Sequence, residues 1–165
     1  MKQQAIWTHT DKPPLVPRAW KLFVDGASRN NPGPAGVGIY LTYDAAPVEQ
    51  QGFFLGIYTN NQAEYLALII GLIIARQHDT MTHIDIISDS QLLVRQMMGQ
   101  YRVKNPELQK LQKIAVALLE DLEYSFSHVL RENNQEADAL ANMGIDNKIV
   151  VPADIEKLLQ SYKAL

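Results

Sequence analysis

The stretch Trp20-Lys-Leu-Phe-Val-Asp25, followed by Val37 to Tyr43 and Val48 to Tyr58, decides the fold. Each segment is short and apolar-rich, and each is bounded by Gly, Pro, Asn or Asp, the pattern of strands separated by turns. Asp25-Gly26 punctuates the first strand, Arg29 to Gly36 reads as a loop, and Asp44 to Pro47 as a turn. Three successive strands with short joins predict an antiparallel meander. Outward from there the pattern alternates. A helix is expected from Asn61 to Gln77 with Asn60 or Asn61 as cap, then a strand from Thr82 to Ser88 and a helix from Ser90 to Gly99. Asn105-Pro106 starts a helix reaching Asp121, Pro being favoured at the first helical position. Tyr124 to Leu130 alternates as a strand, Gln135 to Met143 is a helix closed by Gly144, and a short amphipathic helix follows Pro152. A meander followed by alternating helices and strands is an α/β architecture: a five-stranded mixed sheet, three strands antiparallel and two parallel, flanked by helices.

At 165 residues, 47% of them hydrophobic, the chain suits one domain with a real core. Without cysteine there is no disulfide framework and no thiolate metal site. Any metal must take carboxylate, His or backbone oxygen, a supply that suits hard cations such as Mg2+. The net charge of -3 argues against a protein that coats nucleic acid by bulk attraction, so any nucleic-acid site must be local. Met1 to Thr10 lacks the apolar core of a signal peptide, and a cytoplasmic location is expected. The apolar run from Tyr65 to Ala75 falls well short of the roughly 20 residues that cross a bilayer. It reads as a buried helix, with no membrane partner.

Four acids stand where strands pass into turns or helices, or in the first turns of helices: Asp25 in Phe-Val-Asp-Gly-Ala-Ser, Glu64 in Thr-Asn-Asn-Gln-Ala-Glu-Tyr, Asp89 in Ser-Asp-Ser-Gln, and Asp138 in Asn-Gln-Glu-Ala-Asp-Ala-Leu-Ala. In mixed sheets such positions gather beyond strand ends, where carboxylates can converge on a metal. Asp25 and Asp89 both close strands expected to be adjacent and parallel. Each acid also has a purely structural reading. Asp25-Gly26 is a common turn pair, Glu64 could complete a capping box, Asp89 could cap a helix, and Asp138 could lie on a solvated helix face. Together they suggest a two-metal nuclease.

The four motifs in this order, with Asn-Pro-Gly-Pro-Ala-Gly after the first, resemble the type I ribonuclease H family from Lys21 to Gly144. The resemblance implies a five-stranded mixed sheet, hydrolysis of the RNA strand of RNA/DNA hybrids, and two Mg2+ ions, replaceable by Mn2+, held by Asp25, Glu64, Asp89 and Asp138. It implies 5′-phosphate and 3′-hydroxyl products. Pro13, Pro14 and Pro17 mark 1–18 as a flexible tail, with a catalytic domain expected over 19–146, a C-terminal extension over 147–165, and action as a monomer. Asn31, Asn60, Asn61 and Gln91 match the family's minor-groove positions, where amides can both donate to and accept from a 2′ hydroxyl. Thr59 and Asn105 match residues that grip a DNA-strand phosphate, and Tyr101 stands near an aromatic that stacks on a DNA sugar. A resolvase or transposase-like enzyme of the same fold, or a non-catalytic binding module, would lack this set of Asn-rich motifs or have no need of all four acids.

The chain departs from the family pattern in three places. Ile57 replaces the Arg usual two residues before Thr59. His128 has the spacing of the family's loop histidine, but it falls on the last strand. Arg131 is better placed in the shorter loop before Asp138, where it can neutralise charge on the leaving phosphate. The link from Gln100 to Pro106 carries only Arg102 and Lys104 in place of a basic insertion, which predicts modest affinity and a shallow salt dependence.

Overall fold

A computed structural model describes residues 19–163. The expectation of a flexible tail over 1–18 lies outside the described residues. The elements run β1 (Trp20–Ser28), β2 (Gly33–Tyr43), β3 (Ala46–Tyr58), α1 (Asn60–Ala75), β4 (His83–Ser88), α2 (Gln91–Met97), α3 (Pro106–Leu119), β5 (Glu123–His128), a short 3-10 turn (Arg131–Asn133), α4 (Gln135–Asp146) and α5 (Ala153–Lys163). The sheet order is β3-β2-β1-β4-β5. β1 to β3 form the antiparallel meander, and β4 and β5 add parallel strands on the other side of β1.

α1 is the central helix, buried on every side from Ala63 to Ala75. It lies on one face of the sheet, with α3 and α5 outside it. Leu22, Val24, Ile39, Leu41, Ile84 and Ile86 rise from the sheet to meet Leu66, Ile69, Ile70 and Ile73. Ile155 and Leu159 of α5 are buried in the same core, so the C-terminal helix is docked through apolar contact. Among the described residues no helix is long and apolar enough to cross a membrane.

α4 covers the opposite face over β1 to β3 at unusually short range. A Cβ on Gly38 would lie 1.8 Å from the Ala137 carbonyl oxygen, so only glycine admits the helix there. This explains one difference from the sequence reading: α4 is not closed at Gly144 but runs through it to Asp146, because Gly144 faces Phe53 of β3 as a contact point.

Other differences follow from pairing that local composition does not reveal. β1 continues through Asp25-Gly26 to Ser28 because β2 pairs with it along that whole length. β2 starts at Gly33, inside the stretch read as loop. The cap of α1 is Thr59, not Asn60 or Asn61: its Oγ1 accepts from the Gln62 amide at 3.2 Å while Gln62 Oε1 accepts from the Thr59 amide at 2.9 Å. β5 ends at His128, two residues short of Leu130, although the Val129 amide still donates to the Ser88 carbonyl.

Candidate active site

Asp25 lies inside β1 and is 5% exposed. Pairing of Phe23 with Ile87 sets β1 beside β4 so that the chain just past β4, carrying Asp89, arrives alongside Asp25. Glu64 comes from the other direction, on the first turns of α1. Its approach depends on Gly26, where a Cβ would lie 2.2 Å from the Ala63 carbonyl carbon. The Gly26 amide donates to Glu64 Oε2 at 3.1 Å, so the same contact that admits the helix also aims the carboxylate. Asp25, Glu64 and Asp89 each offer a carboxylate oxygen, and these oxygens all lie within 4.8 Å of one another.

None of the structural readings accounts for these acids. Asp25-Gly26 is in a strand and not a turn, Gln62 and not Glu64 completes the capping box, and Ser90 and not Asp89 caps α2 through a 3.2 Å bond to the Leu93 amide. Burying carboxylates together is costly unless they are protonated or neutralised. Burial, followed by the charges of Asp89 and Asp138, pushes Asp25 up to about 8, against a smaller pull from Arg131. Burial likewise raises Glu64 well above the ordinary range, with Asp25 and Asp89 adding to it and the Gly26 amide opposing it. A cluster of hard oxygen donors that resists its own ionisation fits a divalent cation.

Asp138, on α4, lines the same cleft, but it is not part of the tight triad. Its Oδ1 accepts from Arg131 Nη2 at 3.0 Å. The cleft has a volume of about 460 Å³ and is also bordered by Arg29, Asn60 and Asn61. A larger groove of about 590 Å³ runs between α1, α3 and α5, but it is mainly apolar and holds none of the four acids. Chemistry rather than size marks the site. His128 is exposed at the end of β5 and does not line the cleft.

Of the predicted substrate-binding residues, Asn60 and Asn61 line this cleft, whereas Asn31, Thr59, Gln91, Tyr101 and Asn105 lie outside its lining. Asn31 and Asn60 interlock: Asn31 Oδ1 accepts from the Asn60 amide at 2.9 Å, and Asn60 Oδ1 accepts from the Ser28 amide at 3.2 Å. Asn61 is exposed beside them. Thr59 and Asn105 are the caps of α1 and α3. The Asn105 oxygen accepts from the Glu107 and Leu108 amides, which leaves its Nδ2 as the donor. Gln91 begins α2, and Tyr101 is exposed just beyond that helix. Ile57 is 65% exposed, with no cation in its place.

Two residues at the site escaped the sequence reading. Arg29 reaches from the β1–β2 connection to Asp146 at 2.6 Å and Asn142 at 3.1 Å on α4. Asn134 is fully buried, and its Nδ2 donates to the Val24 carbonyl at 3.0 Å and to Asp89 Oδ1 at 3.3 Å. It thereby ties together the elements that carry Asp25, Asp89 and Asp138. An Asn just before a helix signals a cap, and nothing local shows that its side chain turns away from the helix.

A family profile described as Reverse transcriptase-like matches residues 23–144. The chain is 41% identical over 127 residues to Ribonuclease HI of Halobacterium salinarum, covering 76% of this chain and 63% of that protein. It is 32% identical over 144 residues to Ribonuclease H of Halorhodospira halophila, covering 78% and 94%. The crystal structure of the Halobacterium RNase H1 superposes with a TM-score of 0.75 at 40% identity, covering 78% of this chain and 98% of that one. The chain belongs to the type 1 ribonuclease H family. The ribonuclease H fold is therefore what brings buried Asp25 and Glu64 together with half-buried Asp89, and another member, LC11-RNase H1, has been solved in complex with an RNA/DNA hybrid (34% identity, TM-score 0.74, 78% and 97% covered). Some ribonuclease H relatives are longer: this chain spans 34% of a bifunctional Mycobacterium tuberculosis protein to which it is 42% identical.

Proposed function

We propose that this chain is an endoribonuclease that hydrolyses the RNA strand of RNA/DNA hybrids, acting as a monomer with Mg2+ and leaving 5′-phosphate and 3′-hydroxyl ends. The observation that carries the reading is the convergence of Asp25, Glu64 and Asp89 beside a rim of Asn side chains. Mn2+ is the expected substitute ion. Asp25 would be shared between two ions, Glu64 and Asp89 would complete one, and Asp138 would hold the other. When bound, the ions supply Lewis acidity to the attacking water and to the departing 3′ oxygen.

The chain's own residues do the rest. Gly26 and Asn134 hold Glu64 and Asp89 in place, so the carboxylates need little reorganisation. Asn31, Asn60, Asn61 and Gln91 read the minor groove, their amides matching the donor and acceptor character of a 2′ hydroxyl. Thr59 and Asn105 lend a hydroxyl and an Nδ2 donor to a DNA-strand phosphate, and Tyr101 packs on a DNA sugar. Arg131 neutralises charge as the phosphate leaves, exchanging its contact with Asp138 for one with substrate.

The test is a labelled RNA/DNA hybrid, the matching DNA duplex and a four-way junction, each incubated with Mg2+, Mn2+ or EDTA, with Asp25→Asn as control. Cleavage of the RNA strand of the hybrid alone, dependent on metal and abolished in the variant, is expected. Cutting of the junction but not the hybrid, or binding without cleavage, would overturn the reading.

A further inference from the structure

The surface beside the acidic cleft is organised around a residue that catalysis does not use. Arg95 lies one turn after Gln91 on α2. Its Nη1 donates to Gln100 Oε1 at 3.1 Å. With the Gln91 amide turned so that its oxygen meets these donors, Oε1 accepts from Arg95 Nε and Nη2 at 3.3 Å each. The guanidinium carbon lies 5.4 Å from the Tyr101 ring centroid, within cation–π range. The Arg95 carbonyl accepts from the Gln100 and Tyr101 amides at 2.9 and 3.1 Å. Gly99, at φ +73°, makes the reversal that carries the ring back over the guanidinium. The helix beneath is anchored in the core, where the Tyr65 hydroxyl donates to Gln96 Oε1 at 2.8 Å. Among the described residues no carboxylate forms an ion pair with Arg95, so its charge is directed to an amide, a ring and solvent.

Gln91 and Tyr101 are both exposed, and both gain from being held, since a contact group fixed before binding loses less entropy on binding. An Arg fork can fix two neighbours at once in a way that a Lys cannot. The two held groups differ in what they can touch. An amide can pair with a 2′ hydroxyl, whereas a phenol ring packs on a sugar face. Held at a fixed separation, they measure the distance between two strands, which neither could do alone. That distance differs between duplexes, because double-stranded RNA has the wide, shallow minor groove of A-form.

We propose that Arg95 is a positioning residue that locks Gln91 and Tyr101 into a rigid pair spanning the minor groove, and that their spacing selects the RNA/DNA hybrid over double-stranded RNA. The proposal rests on the hybrid-cleaving reading above and adds the source of duplex discrimination.

Arg95→Met removes the fork and the charge, and Arg95→Lys removes only the fork. Each is compared with the parent in two ways: anisotropy binding of fluorescein-labelled hybrid and double-stranded RNA in an Asp25→Asn background, and steady-state cleavage with Asp25 intact. Both variants are expected to weaken hybrid binding and raise KM about tenfold and to lose a similar factor of preference, with kcat changed less than about twofold. Both variants should keep the parent's salt slope to within less than about one, because a positioning residue neutralises no phosphate itself. Tyr101→Leu, which leaves α2 untouched, should cause the same loss of preference, and combining it with Arg95→Met should cost little more. Parental affinity and preference in Arg95→Lys would reduce the residue to a charge and overturn the proposal, as would additive losses in the double variant or a fall confined to kcat. Failure of the parent with Asp25 intact to cut the hybrid in Mg2+ would instead sink the underlying reading.

Discussion

Asp25→Asn in metal-free protein tests whether the acid cluster is built against its own stability. In the folded chain Asp25 is raised to about 8 from 3.8, chiefly by burial and then by Asp89 and Asp138. A carboxyl raised on folding contributes stability that is fully present below its unfolded pKa and lost as pH climbs through its folded value. Between pH 5 and 7 the unfolded chain has Asp25 ionised while the folded chain still holds the proton. Each pH unit then removes up to about 1.4 kcal/mol, a ceiling of roughly 3 kcal/mol over the interval, and solvent in the cleft brings the expected loss to about 1–3 kcal/mol. Glu64, raised in the same direction, adds to it. An Asn at this position cannot ionise, and its amide can still donate toward Asp89. Urea unfolding in EDTA at pH 5, 6, 7 and 8 measures the effect through buried Trp20. The parent should lose stability across the series, while Asp25→Asn loses distinctly less and is the more stable of the two at pH 7 to 8. Added Mg2+ should restore the parent and do little for the variant, because a ligand that binds only the folded state stabilises it by mass action. Equal pH slopes in the two proteins would refute the reasoning.

Three further outcomes are expected. Gly38→Ala should cost roughly 2–4 kcal/mol in thermal unfolding, because its Cβ would meet the Ala137 carbonyl at 1.8 Å; an unchanged melting point would mean that α4 is not held this closely. Arg131→Ala should lower kcat about tenfold while His128→Ala stays within about twofold, and the reverse order, with both proteins folded, would transfer the turnover role to His128. The logarithm of hybrid affinity should fall against log salt with a slope of only about two to four, as few cations face the cleft, and a slope near ten would reveal a larger basic track.

Much of the fold was legible because the informative patterns are local. Short apolar-rich segments bounded by turn residues, the apolar run of α1 interrupted only by Gly71, and Asn105-Pro106 before α3 each depend on a few neighbouring residues. Boundaries failed where a distant partner decided them. β1 runs on through Asp25-Gly26 because β2 pairs with it, and α4 runs past Gly144 because that glycine is spent on contact with β3.

The sequence by itself determined the order of elements, the four motifs and the hard-oxygen chemistry of their acids, since residue type and spacing carry these. Only the tertiary structure decided which acids meet. It places Glu64 against Asp25 through the gap left by Gly26, sets Asp138 apart on Arg131, and turns Asn134 inward to Asp89. The physical reason is that convergence depends on how closely backbones approach and on where buried polar groups find partners. Both are properties of packed elements, and no single stretch of chain encodes either.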